Sequence, residues 1–313
     1  MALQQIGPCV RPHDHVSSAC AHFVLDSAML GAPAVTLTIV TAAIIGLGGA
    51  LPAQAQDASP WQREAHASTR LLAGAALKTG NVTALRAGIE IRLEDGWRTY
   101  WRYPGDSGAP PTFDFSGSQN VQSAQVEFPV PERFPDGAGG NSIGYAGDVI
   151  LPLHVVPVDA TRPVALRVKI SYEACGKLCV PAKAAFDVML TGQGADEAAL
   201  EKAEQRVPKH TALGASGGTL AILSVHREPG GAHERVAVEV AAPPGAPVEL
   251  FAEGPTPDWA LPLPEPAGPA QGPTRRFTFD LDGLPPGAQA KGAVLTLTAV
   301  SGEDAIEVPD HLD

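Results

Sequence analysis

Two cysteines close the best-patterned strand of the chain, and their spacing constrains how that strand can end. The stretch reads Tyr172-Glu-Ala-Cys175-Gly-Lys-Leu-Cys179-Val-Pro181. Before it, Val164, Leu166, Val168, Ile170 and Tyr172 alternate with Arg167, Lys169 and Ser171, the period of two that marks a strand with one buried face. Continued flat, that strand would hold the cysteines roughly 13 Å apart at about 3.3 Å per residue. A disulfide needs Cα atoms within about 7 Å. The backbone must therefore bend between them, with Gly176 permitting the bend, and Pro181 is expected to stop simple continuation of the ladder. Cys175, continuing the strand, should be the packed sulfur. Cys179, just before Val180-Pro181, should be the open one.

Three readings of the pair stand side by side. A structural disulfide would be a weak staple, because closing about five residues yields only ~2 kcal/mol in the chain-entropy model. Half of a zinc site lacks partners: no second cysteine pair or close histidine follows, and the nearest upstream histidine is His154. No metal ligands are therefore assigned. A redox pair fits the spacing best, since a short ring opens readily and Lys177 favours a thiolate.

The 313 residues, 44% hydrophobic, suffice for two ordinary domains. With 33 glycines and 30 prolines, many turns between short strands fit better than long helices. A formal charge of −12 without a basic stripe argues against nucleic-acid binding.

Residues 1–55 read as an export signal. An uncharged apolar segment, Ala32 to Leu51, precedes Pro52-Ala53-Gln54-Ala55, and small residues at 53 and 55 predict cleavage after Ala55. The alternative is an uncleaved membrane anchor, since about 20 apolar residues span a bilayer. Cleavage would remove Cys9 and Cys20 and leave one cysteine pair in a compartment where disulfides persist. The cluster Cys9, His13, His15, Cys20 reads as chance.

Residues 56–192 read as a β-rich domain. Leu85, Ala87, Ile89, Ile91 and Leu93 alternate with Arg86, Glu90, Arg92 and Glu94, which predicts a half-buried strand turned by Asp95-Gly96. An aromatic run follows, Trp97-Arg-Thr-Tyr100-Trp101-Arg-Tyr103, read either as a core strand and its corner or as a wall beside the cysteines. Further strands are expected at 125–128, 148–155 and 183–190, about seven in all, which points to an antiparallel sandwich. Residues 193–218 read as a helix, 195–207, and a linker. Within it Gly214-Ala-Ser-Gly-Gly218 has the spacing of a nucleophile elbow but lacks the strand before and helix after that the motif requires. Residues 219–313 read as a second sandwich, with strands at 220–226, 235–241, 248–252, 276–281 and 293–300, an exposed Pro-rich loop at 255–273, and His226 and His233 on the surface.

Several motifs occur in an order that resembles a known family. They are Gly96-Trp97, Tyr100-Trp101, Pro104-Gly-Asp-Ser-Gly108, Phe113-Asp-Phe-Ser-Gly-Ser118, Pro131-Glu-Arg-Phe134, Ile143-Gly-Tyr145, Leu151-Pro-Leu153 and Tyr172…Cys175…Cys179-Val-Pro181. Together they resemble the N-terminal periplasmic domain of the DsbD thiol:disulfide interchange proteins. Within that family they are most similar to the ScsB branch, associated with suppression of copper sensitivity.

The resemblance implies an all-β chain: two immunoglobulin-like antiparallel β-sandwich domains joined by a short helical linker. It implies a periplasmic protein-disulfide-reductase type of thiol–disulfide exchange without a cofactor, with thioredoxin-fold periplasmic proteins as partners. Cys179 would form the mixed disulfide and Cys175 would resolve it. Pro131–Gly137 would be a cap loop, with Phe134, Tyr100 and Tyr145 shielding the pair. The cysteines stand closer together here than in the best-known DsbD, and Glu132, Phe134 and Asp136 do not reproduce its cap order. No membrane or C-terminal thioredoxin domain lies within these residues, so a separate membrane electron donor is expected. A redox-inert two-sandwich binding or scaffold protein and a copper-handling thiol protein are the competing readings, and 3 methionines weaken the latter.

Overall fold

The computed structural model describes residues 58–80, 82–215, 217–269 and 272–313. The expected signal segment, with its four metal-type side chains, and Ser216 of the elbow-like motif lie outside the described residues. The described chain is all-β apart from one helix.

Eleven strands make up its first part: β1 (Gln62–Glu64), β2 (Ala67–Thr79), β3 (Val82–Leu93), β4 (Arg98–Gly105), β5 (Thr112–Asp114), β6 (Val121–Val126), β7 (Glu132–Pro135), β8 (Asn141–Ala146), β9 (Val149–Pro157), β10 (Val164–Cys175) and β11 (Cys179–Leu190). They form a five-stranded sheet, β1-β2-β3-β9-β6, and a six-stranded sheet, β11-β10-β4-β8-β7 with β5 beside β10. Leu71, Ile89 and Leu151 of one sheet and Trp101, Ile143 and Ile170 of the other belong to one buried cluster. The alternation in β10 holds: Val164, Leu166, Val168, Ile170 and Tyr172 are buried, while Arg167 and Lys169 are exposed.

The alternation in β3 holds only for its apolar set. Arg86 and Glu90 are each 6% exposed, although their face was expected to be wet. For Arg86 the cause is helix α1 (Glu197–Glu204), shorter than expected, which supplies its carboxylate partners, whereas Glu90 pairs with Arg70 and Arg92. Leu200 of α1 fills a notch made by two glycines. A Cβ at Gly74 or at Gly88 would stand 2.5 Å from a Leu200 methyl, closer than such atoms approach. Arg86 donates to Glu204 Oε1 at 2.8 Å and Oε2 at 2.6 Å, and also pairs with Glu197.

The second part contains β12 (Lys209–His210), β13 (Ala221–Glu228), β14 (Arg235–Ala241), β15 (Glu249–Glu253), β16 (Glu265–Pro266), β17 (Thr274–Asp280), β18 (Val294–Ser301) and β19 (Asp304–His311). Sheets β12-β19-β18-β15 and β13-β14-β17-β16 enclose a second core. His226 and His233 are exposed, as read from the sequence. The Pro-rich stretch is not the exposed loop that was expected: Trp259, Leu261 and Leu263 are buried, and β16 lies within it. Proline removes backbone donors without preventing side-chain burial, so composition alone misplaced this segment.

The two parts meet along β4. Phe251 of β15 packs on Trp101 with ring centroids 5.7 Å apart, Arg102 pairs with Glu253 and Glu307, and the Tyr103 hydroxyl donates to the Leu261 carbonyl.

Candidate redox site

The cysteines sit opposite one another where β10 and β11 meet, with residues 176–178 as the tip. Strand parity decides which way they point. Residues 172 and 174 face the core, so Glu173 and Cys175 face out, and the antiparallel register puts Cys179 and Pro181 on that same outer face. β11 is an edge strand, and its Lys183 and Ala185 N–H groups are taken from outside by Glu64 and Gln62. Pro181 shares their parity. Its missing N–H therefore removes an outward donor and not a rung, and the ladder runs on through Glu173↔Pro181. This corrects the expectation that Pro181 stops the strand.

The same parity makes Cys175↔Cys179 a non-hydrogen-bonded pair, the kind in which opposed residues come closest. Their Cα atoms are 4.0 Å apart and the sulfurs are bonded. Gly176 has no left-handed backbone. Its value lies in bareness: a Cβ there would press on the Trp97 indole at 3.1 Å. Cys175 is 9% exposed and Cys179 is exposed, the asymmetry expected from the sequence. Lys177 lies exposed in the tip beside Leu178, which is 77% exposed.

Tyr100 joins the pair. Its hydroxyl lies 3.3 Å from Cys179 Sγ and 3.3 Å from Cys175 Sγ, and because a disulfide sulfur carries no hydrogen the phenol is the donor. The ring is buried under the loop after β4. A Cβ at Gly108 would stand 2.1 Å from the ring, and the φ of +103° there is one that only glycine adopts without strain. Burial first, and then the charge of Glu173, push the Tyr100 pKa up, so the hydroxyl keeps its proton. Asp106 and Asp136 pin this loop and the one after β7. Asp106 accepts from the Asn141 N–H at 2.8 Å, and Asp136 accepts from Ala138 and Gly140 at 2.8 and 2.9 Å.

The other expected shields occupy different places. Phe134 stands on the same outer face under the guanidinium of Arg98, 4.6 Å from the ring centroid, and Arg98 is the register partner of Cys175. Tyr145 is turned into the core, and its hydroxyl donates to the Pro129 carbonyl at 2.8 Å. Burial there raises its pKa well above the usual value. Thus Tyr100 meets the sulfurs directly, Phe134 stands one residue away, and Tyr145 supports the sheet from behind.

Glu173 is a site residue that the sequence reading missed. One of its oxygens and the two sulfurs lie within 4.8 Å of one another, and its Oε2 accepts from the Ala109 N–H at 3.3 Å. The signal was present in the alternation: two positions before Cys175 on a strand is the same face.

An all-β chain with a cysteine pair on the outer face of a hairpin end defines a candidate thiol–disulfide exchange module. Residues 70–191 match the family described as thiol:disulfide interchange protein DsbD, N-terminal, which shows the resemblance read from the motifs. The chain is also similar in fold to the N-terminal periplasmic domain of ScsB from Proteus mirabilis, with 21% identity, 82% of this chain and 98% of that chain covered, and a TM-score of 0.64. That coverage exceeds what residues 70–191 supply, so the likeness of fold extends into the second part. No curated protein matches the chain. Among the described residues no helix is long and apolar enough to cross a membrane.

Proposed function

We propose that this is a periplasmic thiol–disulfide interchange protein, exported by cleavage after Ala55. Its redox domain, 56–192, and its second domain, 219–313, are two immunoglobulin-like sandwiches joined through residues 193–218. The observation that carries the reading is the pairing of an exposed Cys179 with a buried Cys175 under a fixed phenol donor.

In the reduced form the Cys179 thiolate attacks a partner disulfide. A bond forms from its Sγ as the partner's S–S bond breaks, and the partner's leaving sulfur departs as a thiolate that takes a proton from solvent. Cys175, deprotonated, then attacks Cys179 Sγ. The internal disulfide closes, the partner's second sulfur leaves, and two electrons have moved to the partner. A separate membrane-linked thioredoxin-like dithiol restores the pair by the same steps reversed. The Tyr100 O–H donates to whichever sulfur carries charge, Lys177 adds positive potential at the tip, and Phe134 with Arg98 borders the approach. Attack requires an exposed thiolate, which favours Cys179 as the first nucleophile.

The test is trapping. Each single mutant is incubated with an oxidised thioredoxin-fold protein of the same compartment, and adducts are counted on non-reducing gels. Cys175→Ala should accumulate mixed disulfides through Cys179, and Cys179→Ala few or none. Equal trapping would refute the division of roles, and no trapping by either would refute exchange.

A further inference from the structure

Reduction changes what the hairpin end can hold. Opening the disulfide consumes two electrons and two protons, supplied in vitro by a dithiol such as dithiothreitol, and leaves two sulfur ligands. A third ligand stands beside them, because parity puts the Glu173 carboxylate on the face of Cys175 and Cys179, within 4.8 Å of both sulfurs. From the sequence alone a zinc site is short of ligands, because no second cysteine pair and no near histidine accompany Cys175 and Cys179. The register supplies the missing partner.

We infer that the reduced hairpin end binds one borderline-soft dication of the zinc class through Cys175 Sγ, Cys179 Sγ and Glu173. Two thiolates and a carboxylate are ligands such an ion accepts, and three protein ligands leave the fourth tetrahedral position for water. The neighbours suit that role. The Ala109 N–H orients the carboxylate, and the Tyr100 O–H, 3.3 Å from each sulfur, is placed to donate to a bound thiolate. Arg98, on the same face as Cys175, offsets the surplus negative charge. Cys179 is exposed and provides the way in. Binding exchanges two thiol protons for one metal ion and leaves no free thiolate, so a metal-loaded pair cannot attack a disulfide until the ion is removed.

The experiment uses the full chain carrying Cys9→Ser and Cys20→Ser, so that Cys175 and Cys179 are the only thiols. The chain is reduced, desalted without oxygen and titrated with Cd2+, whose thiolate charge-transfer absorption reports binding, followed by competition with Zn2+. One Cd2+ per reduced chain and none per oxidised chain are expected, with both thiols protected from alkylation. Glu173→Gln should weaken binding at least about tenfold, since even outer-shell partners command that much. Equal affinity in Glu173→Gln would reduce the site to simple dithiol chelation and overturn the inference. So would half an ion per chain, which means bridging between two molecules, or no absorption at all. Trapping by Cys175→Ala in chelator-treated buffer reads exchange separately, so failure of either idea is visible without the other.

Discussion

Both sheets of the first part carry polar side chains on their outer faces, yet the two faces do different work. On the five-stranded sheet, Arg86, Glu90 and His154 point outward, and α1 covers Arg86 and His154. Arg86 meets Glu197 and Glu204, and His154 stands 3.3 Å from both Glu127 and Glu204. On the six-stranded sheet, Cys175, Cys179, Glu173, Tyr100 and Arg98 point outward, but only a pinned loop overlies Tyr100, and Cys179 stays open. Polarity on an outer face therefore does not identify a functional site here. What separates the faces is whether each group's partners come from within the fold or one group is left for a partner from outside.

The largest expected effect lies on the covered face. Leu200→Ala empties the notch between Gly74 and Gly88 and should cost about 2–5 kcal/mol in chemical unfolding, the range for a buried leucine. Trapping by Cys179 should be unchanged, and a loss of trapping at retained fold would break the separation of the two faces. The converse substitution is Tyr100→Phe. It removes the donor to the sulfurs, and a hydrogen bond to a charged group contributes about 1.5–3 kcal/mol. Alkylation of the reduced pair at neutral pH should slow by roughly tenfold or more as the thiolate is lost, with the unfolding midpoint nearly constant.

The smallest effect concerns pH. His154 has a raised pKa, mainly through its hydrogen bond with Glu127 and further through Glu204, with burial opposing. Its register neighbours are Arg86 on β3 and Gln125 on β6. A histidine raised on folding contributes its full stabilisation below the unfolded pKa, near 6.5, and loses it as pH climbs through the raised value. The gap in melting temperature between the native chain and His154→Gln should accordingly be widest in mild acid and narrow above neutrality. A constant gap would show that the histidine acts by packing alone.

What the sequence revealed divides along the same line. Period-two alternation located the buried face of β10, and the cysteine spacing and the aromatic run pointed to the hairpin end and Tyr100. Tertiary cover was hidden. Nothing in β3 signals that α1 will bury Arg86, because the covering residues lie over a hundred positions away. β19 escaped notice because Asp304, Glu307, Pro309 and Asp310 mask its pattern, although Glu307 is buried as the partner of Arg102. Pro181 was misread because a proline's effect on a ladder depends on which side its missing donor would face, and that requires knowing the edge.

The central claim is that the Cys175–Cys179 bond is a working redox couple and not a staple. A disulfide that closes a short ring adds little restraint to the unfolded chain, and through the exposed Cys179 it lies open to exchange. Equilibration of the purified chain, with Cys9→Ser and Cys20→Ser, against glutathione or dithiothreitol buffers measures its reduction potential. A value between about −120 and −270 mV, within reach of thioredoxin-like partners, is expected, and a value below roughly −300 mV, where structural disulfides lie, would contradict it.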